Sequence, residues 1–239
     1  MAKLLDCGDT ALTVEFGDRA EAPLSALVLA LDRRLSEAGL RGVVEAVPTM
    51  RSLTIHYDPN LVSSAEIARA LEPLLEGLEA AGVPGRRWLM PACYAPEVAP
   101  DIEDVARRTG LGLDDVARLH ASVPYRVLML GFLPGLPYLG DLPGRLRLPR
   151  RDSPRTAVPA GSVAIATTQT CIYPLESPGG WHLIARTPVR LFDAARDPPV
   201  LLAPGDEVSF RPIAPNEYED LVAASRDRAW RPEPEGARP

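Results

Sequence analysis

Residues 161–192, GSVAIATTQTCIYPLESPGGWHLIARTPVRLF, carry apolar runs too short for helices, each bounded by glycine, proline or a polar turn. Val163–Ala166, Thr170–Tyr173, His182–Ala185 and Val189–Phe192 have strand length and strand composition. The texture extends outward on both sides, to Arg126–Leu130 upstream and Val208–Arg211 downstream. More than half of the chain's 26 prolines fall between Pro134 and Pro215, which leaves no room for a long helix. Short, closely punctuated strands predict a closed or nearly closed β-barrel rather than an open parallel sheet.

The stretch before the barrel reads differently. Ile102–Thr109 and Leu113–His120 have helical spacing, the first opened by Asp101 as N-cap and stopped by Gly110. They form a short helical bridge. Residues 1–94 read as a small α+β unit. Leu12, Val14 and Phe16 alternate with polar residues as in a half-buried strand, and Leu24, Leu27, Val28, Leu31 and Leu35 follow at helical spacing with Gly39 as the stop. Val43–Val47 and Leu53–Tyr57 read as a hairpin around Pro48–Arg51. Ser63 and Glu66 then have capping-box spacing ahead of a second helix, which Pro73 should kink or delay. With Trp88–Tyr94 as a last strand the order is β-α-β-β-α-β, which predicts a ferredoxin-like sandwich. The expected organisation is an α+β ferredoxin-like domain at 1–94 and a mainly β barrel domain with bridging helices at 95–230. Asn216–Arg228 has helical spacing within the second, and 231–239 is too poor in apolar residues to fold.

Composition narrows the function. The 239 residues are 46% hydrophobic and 24% charged, as in ordinary globular proteins, and the net charge of −6 opposes binding to nucleic acid or anionic lipid. The start, MAKLLDCGDTALTVEFG, lacks a signal-peptide pattern, and no run approaches the ~18 apolar residues of a membrane span. A cytoplasmic protein without membrane contact is expected. Cys7, Cys93 and Cys171 are odd in number and widely separated, so neither a disulfide framework nor zinc-ligand spacing is present, and no metal is expected.

Three clusters carry possible chemistry. Gly131-Phe-Leu-Pro-Gly-Leu-Pro-Tyr-Leu-Gly140 is a preset loop anchored by Phe132 and Tyr138, and it serves equally well as a barrel-closing corner. Arg150, Arg151 and Arg155 are closely spaced guanidinium forks suited to carboxylate or phosphate, or else a solvated, salt-bridged loop. In Gln169–Pro188, Gln169 can donate and accept, Tyr173 and Trp181 can wall a pocket, and Gly179 and Gly180 allow close approach of a ligand. The Ser-Pro-Gly-Gly segment is equally a reverse turn, and Trp181 equally a core residue. Cys171 beside His182 could be a nucleophile pair, but a cysteine in an apolar strand is expected to be inert packing. No phosphate loop, nucleophile elbow or zinc-protease helix motif occurs. A small-molecule-binding component of a larger complex is easier to build from these residues than a self-contained enzyme. Residue chemistry places substrate contacts at Arg155, Gly179, Gly180, Trp181 and Arg186, the arginines holding carboxylate or phosphate, with Gln169 and Tyr173 as the catalytic candidates.

Taken in order, Gly8–Leu12, Val47–Leu53, Gly131–Gly135, Pro159–Ser162, Gln169–Thr170, Ile172–Pro174, Ser177–Trp181 and Arg186–Pro188 resemble the family of 5-oxoprolinase B subunits, also described as KipI-type or allophanate hydrolase subunit 1. The resemblance covers nearly the whole chain. It implies a ferredoxin-like domain, a cyclophilin-like barrel, and partnership with two other chains, a cyclophilin-like C subunit and a separate A subunit. Together these open 5-oxoproline to glutamate with ATP as the complex's cofactor. It also implies two other roles seen among relatives, inhibition of a histidine kinase and participation in biotin-dependent urea carboxylation. The chain departs from the family pattern at Ala95-Pro96, Thr167 and Cys171, where glycine is frequent.

Overall fold

The computed structural model describes residues 2–19, 21–80, 85–225, 230 and 232–234, which fall into two compact units, Met1–Pro84 and Gly85–Pro239. Apart from 232–234, the tail expected at 231–239 lies outside the described residues.

The first unit contains β1 (Lys3–Asp6), β2 (Ala11–Glu15), α1 (Ala22–Ala38), β3 (Val43–Pro48), β4 (Ser52–Tyr57) and α2 (Ser64–Leu75). Its sheet has the order β1-β2-β4-β3, and every neighbouring pair is antiparallel. Leu12, Val14, Leu53, Ile55 and Tyr57 project from one face onto Val28, Leu31, Leu35, Ile67 and Leu71 of the helices, so the two periods seen in the sequence meet in one core. Gly39 closes α1 at φ +55°, a left-handed cap that glycine adopts without steric cost. Ser63 and Glu66 form the expected capping box. The second helix ends at Leu75, just past Pro73, and the Arg34 guanidinium donates to the carbonyls of Leu74, Glu76 and Gly77 at its end.

The expected β-α-β-β-α-β order is corrected here to β-β-α-β-β-α. The outer strand beside β2 is β1, whose four residues are all exposed and so carry no amphipathic alternation to read. The strand expected to fill that place, Trp88–Tyr94, belongs to the second unit.

That unit contains β5 (Arg87–Cys93), α3 (Ile102–Thr109), α4 (Leu113–His120), β6 (Tyr125–Leu130), β7 (Pro137–Leu139), β8 (Arg155–Val158), β9 (Ser162–Ala166), β10 (Gln169–Ile172), β11 (Ser177–Gly179), β12 (His182–Arg186), β13 (Glu207–Ile213) and α5 (Pro215–Ser225). Seven of these strands close a barrel in the order β10-β7-β6-β13-β5-β12-β9, while β8 and β11 pair as a separate ribbon. β5 runs parallel to β13 over its whole length, from Arg87 opposite Glu207 to Cys93 opposite Ile213. This pairing claims β5 for the barrel: Met90 and Ala92 are fully buried in the barrel core. The expected strand at Val189–Phe192 is reduced to a single bridge between Phe192 and Val200.

Strands β9, β10 and β12 are buried on both faces. Val163, Ile165, Ile172 and Ile184 point into the main core, and Ala164, Ala166, Cys171, Tyr173 and Leu183 form a second apolar layer with Leu136 and Val158. Double burial is why these strands read as continuous apolar runs instead of alternating ones.

The β9–β10 hairpin turns at Thr167, which holds φ +52°. A β-branched side chain is disfavoured there, at the position where the resemblance finds glycine frequent. Replacing Thr167 by glycine is expected to stabilise the barrel by about 1 kcal/mol, read as a higher midpoint in urea unfolding with an unchanged slope. A lower midpoint would contradict it.

Inside the barrel, His120 at the end of α4 is fully buried against Tyr125 and Phe210. The Tyr94 hydroxyl donates to Nδ1 at 2.7 Å, because Thr170 Oγ1 already donates to the Ala164 carbonyl and accepts from Nε2 at 3.1 Å. Burial pushes the imidazole down to about 3. The unfolded chain therefore binds a proton that the folded barrel refuses between about pH 6.5 and pH 3. Stability that is present above pH 6.5 is lost as the pH falls through this window, by up to about 1.4 kcal/mol per pH unit. Denaturation of wild type and His120→Gln between pH 6.5 and pH 4.5 should give a steeper decline in the wild type. Parallel declines would contradict this.

Candidate functional site

On the outer face of the barrel, beside the β8–β11 ribbon, lies a cavity of about 380 Å³. This is within the range of small-molecule sites. Its floor is Tyr138 of β7, Cys171 of β10 and Tyr173 just beyond it, and its walls are Trp181, the Pro178–Gly180 segment and the loop carrying Arg150, Arg151 and Pro154. Tyr138 and Trp181 meet edge to face, with ring centroids 5.9 Å apart, a favourable quadrupole arrangement. The Arg150 guanidinium stands over the Trp181 ring at 5.8 Å, within cation–π range.

The rim is Gly131–Leu136. Gly131 N–H donates to the Leu136 carbonyl and Leu136 N–H to the Leu133 carbonyl, closing the loop on itself. Phe132 is thereby held at φ +67° with 66% of its surface exposed. Gly135 at φ +76° packs against Phe192 and Val200. Gly179 is required for a separate reason: a Cβ there would collide with the Tyr173 hydroxyl.

Behind the wall, Asp101 is 3% exposed and its carboxylate is saturated. Arg155 donates to both oxygens at 2.7 and 2.8 Å, Arg151 donates at 2.8 Å, and the backbone N–H of Leu183 donates at 2.7 Å. Asp101 makes no side-chain cap to α3. Its carboxylate instead ties the arginine loop to β12. Arg151 N–H also donates to the Gly180 carbonyl at 2.8 Å, which joins that loop to the glycine segment of the wall.

Four of the residues singled out from the sequence, Tyr173, Gly179, Gly180 and Trp181, come together around the cavity. Three do not line it. Arg155 is committed to Asp101, Arg186 donates from Nε to the Ala160 carbonyl and so braces the Pro159–Ser162 turn, and Gln169 is buried on β10 opposite Ala166. Arg150 and Tyr138 do line it, and the sequence placed both in the right clusters without separating them from their neighbours. Burial pushes the Cys171 thiol upward, opposed only in part by Arg150. A protonated, buried thiol is a wall and not a nucleophile. Burial likewise raises Tyr173, with Cys171 and Tyr138 adding to the effect, so its hydroxyl keeps its proton and can donate it in a hydrogen bond.

The site is thus an aromatic cavity with two arginines in its wall, set on a closed barrel. The chain belongs to the carboxyltransferase-domain family, subdomains C and D, whose family model matches residues 2–202. It is 38% identical over 222 residues to the 5-oxoprolinase B subunit of Bacillus subtilis (strain 168), a match covering 88% of this chain and 92% of that protein. It is 43% identical over 206 residues to the 5-oxoprolinase B subunit of Escherichia coli O157:H7, covering 86% and 93%. The crystal structure of TTHA0988 is 39% identical with a TM-score of 0.77; the match covers 85% of this chain but spans 40% of that longer one.

Proposed function

We propose that this chain is the B subunit of an ATP-dependent 5-oxoprolinase, the complex that opens the lactam of 5-oxo-L-proline to L-glutamate. The observation that carries the reading is a small-molecule cavity in a chain that aligns nearly end to end with two 5-oxoprolinase B subunits. Ring opening breaks the lactam C–N bond and adds one water across it, while a second water is consumed in converting ATP to ADP and phosphate. Trp181 and Tyr138 pack against the flat ring, and the protonated Tyr173 hydroxyl, for which the missing Cβ of Gly179 leaves room, donates to the lactam carbonyl beside Gly180. Arg155, Gln169 and Arg186 act from outside the cavity, through the fold of its walls. ATP is the cofactor of the assembled complex.

On this reading the barrel is of the cyclophilin-like type. The first unit is a ferredoxin-like sandwich whose outer strand is supplied by β1, a reading supported by its β1-β2-β4-β3 order. The A and C subunits complete the site. A protruding Phe132 at the cavity mouth and the longer relative in which this fold spans less than half the chain both favour a covering partner. Co-purified A, B and C subunits are expected to release glutamate from 5-oxoproline only when ATP is present. A well-formed complex that turns over none would end this reading.

A further inference from the structure

The charges around the cavity are unbalanced. Of the three arginines between residues 150 and 155, two share one carboxylate, that of Asp101. Asp101 has its oxygens filled by those guanidinium groups and by Leu183 N–H, so it has no capacity left for the third. Arg150 makes no ion pair or hydrogen bond among the described residues, and its one contact of note is the face of Trp181. No aspartate or glutamate lines the cavity. Arg151, also in the wall, keeps its Nε–H buried without an acceptor, and an unsatisfied buried donor is costly enough to call for one. In a chain of net charge −6 this is a local positive site, and Arg150 also bears electrostatically on Cys171, Tyr138 and Tyr173 at the cavity floor.

We infer that Arg150 is the carboxylate anchor of the cavity, holding the acid group of a small flat-ringed substrate whose ring lies against Trp181. This deepens the proposed function and rests on it. It makes Arg150, not Arg155, the residue that distinguishes 5-oxoproline from a neutral lactam. The chemistry is direct: a planar guanidinium donates paired hydrogen bonds to a carboxylate, and its stacking on an aromatic face fixes the fork in place. Because Arg150 is exposed and unpaired, its replacement leaves the fold intact.

In the assembled three-component complex, Arg150→Gln should raise KM for 5-oxo-L-proline about 10- to 100-fold, the loss of one charged hydrogen-bonding partner, with kcat and KM for ATP little changed. Arg150→Lys should recover part of the loss. 2-Pyrrolidinone, which has the lactam but no carboxylate, should inhibit wild type and Arg150→Gln equally weakly. A rise in KM for ATP alone would mean that the guanidinium holds phosphate, and an unchanged KM for 5-oxoproline would mean that it holds nothing in the reaction. Either result overturns the inference while leaving the activity standing. If the wild-type complex proves inactive, the full-length chain decides the matter alone through tryptophan fluorescence. 5-Oxoproline should quench it and 2-pyrrolidinone should not, and quenching should be lost in both Arg150→Gln and Trp181→Phe. Equal quenching by the neutral lactam, or quenching that survives Arg150→Gln, would overturn the inference.

Discussion

Replacing Asp101 by alanine is expected to destabilise the barrel unit by about 3 kcal/mol, the lower end of the cost of breaking a buried ion pair by removing one partner. The carboxylate is nearly inaccessible, but the Arg151 and Arg155 side chains keep 30% and 25% of their surface in water, which softens the penalty for leaving them unpaired. The larger loss is structural. The Leu183 N–H would be stranded in a buried position, and the loop that forms one cavity wall would lose its attachment to β12. Asp101→Asn should be intermediate, since an amide oxygen still accepts from Leu183 and one arginine. Urea unfolding measures the first effect. A cost below about 1 kcal/mol, the range of surface pairs, would show that the cluster is only a solvated ion pair. A carboxylate ligand should also bind more weakly to Asp101→Asn through the disordering of its wall, although Asp101 itself never touches the cavity.

The same cluster marks where local reading of the sequence stops. The three arginines were legible as cations, but which are neutralised depends on an aspartate 50 and 54 residues away whose own local context says helix cap. Short helices α3 and α4 were readable to the residue because each carries its own spacing and the first its own glycine stop. Strands β9 and β10 were readable because double burial leaves an unbroken apolar run. β5 was readable as a strand, but not as a barrel strand: its partner β13 lies 120 residues on in sequence, and the pattern of Trp88, Met90 and Ala92 fits any sheet with one buried face. β1 left no pattern at all because neither of its faces is covered. β8 and β11 are defined by the ribbon they make with each other, and Pro178 and Gly179 in the second conceal it. The cavity followed the same rule. Its aromatic and glycine elements are neighbours in sequence and were found together, whereas its charge distribution is a long-range property and was not.

Phe132→Gly should make the isolated chain more stable and the assembled complex less so. In the folded chain this phenylalanine incurs two unfavourable conditions at once. Its φ of +67° costs about 1–2 kcal/mol for a side-chain-bearing residue, and two-thirds of its surface is in water. Neither has a return within the described residues, since the hydrogen bonds that close the loop are backbone bonds that glycine would make equally well. An aromatic ring held outward at the mouth of a binding cavity has its compensation in a covering surface, where an aromatic anchor is worth about 2–4 kcal/mol. Melting of the isolated chain should therefore shift upward in Phe132→Gly, while association with the partner chains weakens at least about 30-fold. Phe132→Asn, which tolerates the left-handed conformation, separates the two effects: it should relieve most of the strain and still lose the association. If both variants assemble as tightly as the wild type, the covering partner does not rest on Phe132, and the strained loop is only a corner of the barrel. If the isolated chain melts lower in Phe132→Gly, the ring is supporting the fold of the loop itself, and its protrusion is not held in reserve for a partner.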